Sequence, residues 1–230
     1  MPNAQLFITC LGDQFFTPTL QNMTHILERL GVNLLFPPEQ TCCGQPLYNN
    51  GFEDQTRPVA LNFLRAFGRS DAPIVGPSGS CVSMVKHHYP SLFKPGTSEH
   101  NLALDIASRT FEFTEYLVNV LNVTDVGAVY PHKVTYHASC HYLREMGLKT
   151  EAKGLLHSVK GLELVPLHGP ADFLDDFRAL GCFLDDLCLQ DSFHMVCSFA
   201  IFSPNRVPFS KPKVKVVFRI HIVLFLIFSG

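Results

Sequence analysis

The chain has little net charge: 18 lysines and arginines stand against 20 aspartates and glutamates, leaving −2 at pH 7. That balance gives no electrostatic footprint for nucleic acid or for an anionic membrane surface. The amino terminus, Met-Pro-Asn-Ala-Gln-Leu-Phe-Ile-Thr-Cys, has no basic region followed by a long apolar core. A secretory signal is therefore not expected, and a cytoplasmic location is. No apolar run reaches the ~20 residues of a membrane-crossing helix, because Val214 to Phe228 is interrupted by Lys215, Arg219 and His221. The small-residue segment Gly76 to Gly79 lacks a lysine after its last glycine, so the phosphate-cradling P-loop pattern fails. Flavin and nicotinamide fingerprints are missing, and so is any C-x2-C-x2-C run.

What is present is a globular composition, 47% hydrophobic and 17% charged over 230 residues, with ample chain for a core. There are eight cysteines. In a reducing compartment they read as metal ligands or redox groups rather than as a disulfide framework. The most unusual stretch is Thr41-Cys42-Cys43-Gly44-Gln45-Pro46. Successive side chains of a strand point to opposite faces, so tandem cysteines suit a strand core poorly. A turn aims both at one spot, and Gly44 and Pro46 supply it. Paired thiolates are the ligands that iron–sulfur clusters and zinc favour, although two small apolar side chains in a loop are an equally open reading of this dipeptide alone.

Taken in order, Gln5 to Cys10 reads as a strand ending on Cys10, Thr19 to Leu30 as a helix stopped by Gly31, and Val32 to Phe36 as a second strand. Such a βαβ unit favours parallel strands, whose carboxyl ends gather ligands. Cys10 and the tandem pair then share one rim. Val59 to Phe67 follows as a helix with Pro58 at its start, Ala72 to Gly76 as a strand, and Val82 to His88 as a helix. Cys81 falls where that third strand hands over to a helix N-terminus, which favours a thiolate. Asn101 to Asn122 reads as one or two helices, with Glu112 and Glu115 on a solvated face.

The second half repeats this plan. Lys133 to His141 reads as a strand ending near Cys140, then come a helix, Gly161 and a strand at Leu162 to Leu167. Gly31 follows Cys10 by 21 positions, and Gly161 follows Cys140 by the same 21. The fold class is therefore α/β, with two pseudo-repeated parallel-sheet βαβ halves. The offset of 130 places a second Cys-Cys-Gly at about residues 172–174, where Asp172-Phe173-Leu174 stands instead. The second half is thus incomplete. The expected organisation is a first cysteine-rich domain over 1–125, a partial second one over 126–172, and a tail over 173–230 of different character, as a shifted reading frame or a fusion would produce. That tail holds Cys182, Cys188 and Cys197.

Cys10, then Cys42-Cys43-Gly44 after 31 residues, then Pro77-Ser78-Gly79-Ser80-Cys81 and Tyr136-His137-Ala138-Ser139-Cys140-His141, together resemble the cysteine-rich CCG-domain iron–sulfur proteins. The family takes in a component of heterodisulfide reductase and the iron–sulfur subunits of glycolate oxidase. The resemblance spans about residues 5–170. It implies an electron-transfer component of a lactate-utilization complex that oxidises L-lactate to pyruvate, acting only with partner subunits. It also implies an iron–sulfur cluster, [4Fe-4S] in type, held by Cys10, Cys42, Cys43 and Cys81, with Cys140 as the cofactor-binding cysteine of the second half. Ser78 replaces the first cysteine of the family's final C-x2-C pair. The alternative is an inactive truncated chain or a zinc-binding scaffold, for which His137, Cys140 and His141 supply three local ligands where structural zinc wants four. His87 and His88 read as the polar end of a helix, and Tyr48, Asn49 and Asn50 as turn residues.

Overall fold

The computed structural model describes residues 1–165 and the backbone segment 215–218. Strands β1 (Asn3–Leu6), β2 (Asn33–Leu35), β3 (Ile74–Gly76) and β4 (Thr110–Glu112) form one sheet in the order β2-β1-β3-β4. Every pairing is parallel, with Asn3, Ala4 and Gln5 opposite Asn33, Leu34 and Leu35, and Gly76 opposite Glu112. Between these strands lie α1 (Cys10–Phe15), α2 (Thr17–Arg29), α3 (Gln45–Asn49), α4 (Glu53–Phe67), α5 (Gly79–Ser83) and α6 (Ser98–Ser108). A short α7 (Phe113–Glu115) follows β4.

Strand order dictates where the helices go. The chain moves from β1 to β2 in one direction and then crosses back to β3, so right-handed connections put the first crossover helix and the later ones on opposite faces. The packing agrees. Met23, Ile26 and Leu27 of α2 join one core cluster with Ala4 and Leu6. Ala60, Phe63, Leu64 and Phe67 of α4 and Ala103 and Ile106 of α6 join another with Phe7 and Ile74. Phe7 packs edge-on against Phe63 at 4.9 Å and Phe63 stacks on Phe67 at 4.3 Å, contacts worth about 0.5–1.5 kcal/mol each beyond their burial. The reversal between β1 and β3 is a topological switch point, and the loops leaving their carboxyl ends border a crevice.

The second half carries β5 (Lys133–His137), α8 (Glu151–His157), β6 (Glu163–Leu164) and β7 (Lys215–Phe218), in a parallel sheet ordered β6-β5-β7. Its middle strand is flanked as β1 is flanked by β2 and β3, so the expected repeat is present in the topology. Gly31 and Gly161 share a left-handed backbone, with φ of +79° and +77°, which only glycine takes without strain. Val126, Ala128, Tyr130, Val134, Leu155, Leu156 and Val159 pack into the same cluster as α2. The halves thus share apolar core across residue 125.

Several expectations need correction. Strand β1 ends at Leu6, and Cys10 is the first residue of α1, capped by Thr9; the Thr9 hydroxyl accepts the Gly12 N–H at 3.3 Å, so the chain has already turned into a helix. Helix α4 begins at Glu53 and holds Pro58 in its interior. The stretch read as helix over 101–122 contains β4, then α7, then a π-helical turn at Tyr116–Val120. Glu112 is fully buried, and Glu115 pairs with Lys86 at 3.1 Å, so neither lies on a solvated face. The expected second Cys-Cys-Gly at 172–174 and the tail cysteines lie outside the described residues. Of the tail from 173 on, only 215–218 are described.

Candidate metal centre

Three loops leaving the carboxyl rim bring four thiols together. The thiol of Cys10, the first residue of α1, donates to the Cys42 sulfur at 3.4 Å. Cys43 is 2% exposed and Cys42 and Cys81 are half-buried. Hydrogen bonds from the Cys10 and Cys43 thiols hold the Cys42 thiol well below its ordinary value. Its partners are pushed the other way: hydrogen bonding to Cys42 and then burial raise Cys10, and hydrogen bonding to Cys42 and Cys81 and then burial raise Cys43. Neighbouring thiols that donate to one sulfur favour its charged form, the form in which a soft ligand binds a metal.

The local sequence explains the convergence. Gly44 adopts φ +80° and opens α3, with Pro46 in its first turn, so the chain reverses immediately after the tandem pair and both sulfurs face one region. The Gly44 N–H points at the Cys42 sulfur at 3.5 Å. A side chain at Gly44 would meet Thr56 Cγ2 at 3.1 Å. Cys81 is the third residue of α5 and follows the buried stretch Pro77–Ser80. Ser78 precedes that helix without a capping hydrogen bond from its side chain, and its Oγ lies 3.1 Å from Ser80 Oγ.

Two residues that hold this site carry no motif. Gln40 ties the loop after β2 to the loop after β1: its Oε1 accepts the Ile8 N–H at 2.7 Å, and its Nε2 donates to the Leu6 carbonyl at 3.0 Å and the Pro37 carbonyl at 3.1 Å. An amide thereby continues the ladder where the strands have stopped. Tyr89, fully buried, donates its hydroxyl to the Cys43 carbonyl at 3.0 Å.

Cys140 stands apart. It is exposed, precedes a π-helical turn at His141–Glu145, and no thiol–thiol hydrogen bond among the described residues reaches it. Its neighbours do reach the first half. Gln45 Nε2 lies 3.3 Å from His141 Nε2, and Glu145 lies 3.7 Å from His141, 3.6 Å from His88 and in a short hydrogen bond with Ser83. Tyr48, on α3, packs its ring on His88 at 4.8 Å.

Among the described residues, no three of the His, Cys, Asp and Glu side chains surround a point as a single bound ion requires. In a multi-iron cluster the thiolates bind separate irons rather than one centre. A soft, all-sulfur donor set from Cys10, Cys42, Cys43 and Cys81 is of the kind that zinc and iron–sulfur clusters favour.

The profile of the cysteine-rich CCG domain matches residues 4–86, which hold all four thiols. The chain is 48% identical over 168 residues to lactate utilization protein A of Exiguobacterium sp., covering 73% of this chain and 68% of the relative. It is 44% identical over 162 residues to the protein of that name from Oceanobacillus iheyensis, covering 70% and 66%, and 47% identical over 162 residues to that of Geobacillus thermodenitrificans, covering 70% and 67%. The matches thus span about two thirds of each relative's length. On these matches and the tandem-cysteine motif, the chain belongs to the CCG cysteine-rich family that includes lactate utilization protein A.

Proposed function

We propose that the chain is a cytoplasmic electron-transfer component of a lactate-utilization system, holding one iron–sulfur cluster, [4Fe-4S] in type, on Cys10, Cys42, Cys43 and Cys81. The observation that carries this is the convergence of four thiols from three loops on one sheet rim, with Cys10 3.4 Å from Cys42. When bound, the cluster supplies one-electron redox chemistry. The chain's own part is to position the sulfurs, exclude water from Cys43 by burial, and keep Cys42 ready as thiolate.

In this reading the hydroxy acid is oxidised on a partner subunit, and its electrons pass through this chain on their way to an acceptor. No helix among the described residues is long and apolar enough to cross a membrane. Anaerobic purification with iron and sulfide analysis tests the proposal. The expected result is a brown protein with both elements, which C10S, C42S or C43S strips. A colourless protein containing zinc or no metal would replace this reading with that of an inert scaffold.

A further inference from the structure

Tyr89 owes its position to an irregularity. In an unbroken α-helix, a residue eight positions beyond Cys81 lies about 80° round the axis from it. Here α5 gives way to a π-helical turn at Met84–His88, closed by the Tyr89 N–H on the Met84 carbonyl at 3.1 Å. The wider turn takes up an extra residue, reduces that rotation, and swings Tyr89 toward the face that bears Cys81. Such turns concentrate at functional sites. The ring is then fixed: it meets Phe63 edge-on at 5.4 Å and is fully buried. Its hydroxyl has a defined aim, the Cys43 carbonyl at 3.0 Å. It also lies within electrostatic reach of Cys43, Cys42 and Cys81 together.

We propose that Tyr89 is a positioning residue for the tandem-cysteine turn: its buried O–H, bonded to the Cys43 carbonyl, fixes where the Cys42 and Cys43 sulfurs point and favours the reduced state of the cluster they hold. The inference rests on the cluster reading above. The physical argument has two parts. A buried carbonyl without its donor must find another partner, and the nearest freedom is rotation of the Cys43–Gly44 peptide, which also turns the Gly44 N–H off the Cys42 sulfur that it meets at 3.5 Å and loosens the turn that presents the tandem pair. In addition, the phenolic hydrogen, bonded to the Cys43 carbonyl oxygen, offsets part of that oxygen's negative charge next to a centre that gains negative charge on reduction, and outer hydrogen-bonding groups of this kind tune metal sites.

The test compares wild type with Y89F, which keeps the ring and its packing on Phe63, after anaerobic reconstitution with ferrous iron and sulfide. At a fixed redox poise, Y89F is expected to raise the oxidised-to-reduced ratio by about fivefold, the size of one net hydrogen bond. In the metal-free proteins, alkylation of Cys43 by iodoacetamide, followed by peptide mass spectrometry, is expected to run faster in Y89F by a similar factor. A Y89F protein that melts lower but matches wild type in both redox ratio and alkylation rate would show a merely structural tyrosine and overturn the proposal. Failure of the wild type to take up iron would instead sink the cluster reading, and the alkylation comparison would still decide whether Tyr89 holds the turn.

Discussion

Gln45 Nε2 lies 3.3 Å from His141 Nε2, so the second residue after the tandem cysteines touches the residue after Cys140. The start of α3 in the first half thus meets the turn that follows β5 in the second. H141A should remove this contact and the pairing with Glu145 while leaving the four clustered thiols in place. Loss of one hydrogen bond of about 1 kcal/mol is expected to lower Tm by about 2–4 °C with iron content unchanged, as circular dichroism melting and metal analysis would report. Loss of iron in H141A would mean that the second half builds the first half's site.

Cys140 is exposed and apart from the other thiols. C140S is accordingly expected to retain the iron and sulfide content of the wild type, in contrast to C10S. Equal loss in both variants would make Cys140 a ligand of the same cluster.

Gln40 replaces a strand pairing with three side-chain hydrogen bonds. Q40L keeps the volume and removes the amide from the Ile8 N–H and the Leu6 carbonyl, while the Pro37 carbonyl keeps the backbone N–H of residue 40 at 3.3 Å. The expected cost is about 2–3 kcal/mol, together with weaker retention of iron under chelator challenge, because the loops bearing Cys10 and Cys42 are no longer tied. Denaturant unfolding of the metal-free protein separates the two effects.

Glu112 gives a pH dependence with a definite sign. Burial raises its carboxyl from the ordinary 4.5 to about 8, against the Thr114 and Glu115 N–H groups and the Thr114 hydroxyl that bind its Oε2. Its Oε1 is buried without a hydrogen-bond partner among the described residues. Glu115, Tyr136 and Tyr142 face it, and Tyr142 also reaches Thr114 at 3.1 Å and accepts the Ala152 N–H at 3.1 Å. Because the folded state holds this proton more tightly than the unfolded one, stability is full below about pH 4.5 and falls as pH rises to about 8, by about 3–5 kcal/mol. E112Q, which cannot ionise, should flatten Tm between pH 5 and pH 8 and exceed the wild type at the upper end. A wild-type profile with no decline over that window would refute the assignment.

The parts of this molecule legible in its sequence are those where the signal is local. The periodic apolar residues of α2, the left-handed glycines Gly31 and Gly161, and the turn at Gly44 all express backbone rules that act within a few residues. The convergence of Cys10 on Cys42 was accessible too, because parallel βαβ order fixes which rim the loops share. What escaped depends on distant partners. Strand β4 is three residues long and exists because Ile74, Val75 and Gly76 pair with Thr110, Phe111 and Glu112; in isolation those residues carry no period. Glu112 looked like any surface acid until the second half covered it. Gln40 and Tyr89 act through a side-chain amide and a phenol on backbone groups over 30 positions away, and no spacing rule announces that.

The parallel order also sets which kinds of change the rim can absorb. The segments joining the strands run over the outside of the sheet, so extra residues spliced into a connection beyond α2 or α4 would leave every sulfur where it is. Slipping β1 along β2 by one residue would instead carry Cys10 about 3.3 Å along the strand and turn the following side chains to the opposite face. Length variation among natural or engineered versions of this chain is therefore expected in its crossovers, and almost none between each strand and its thiol.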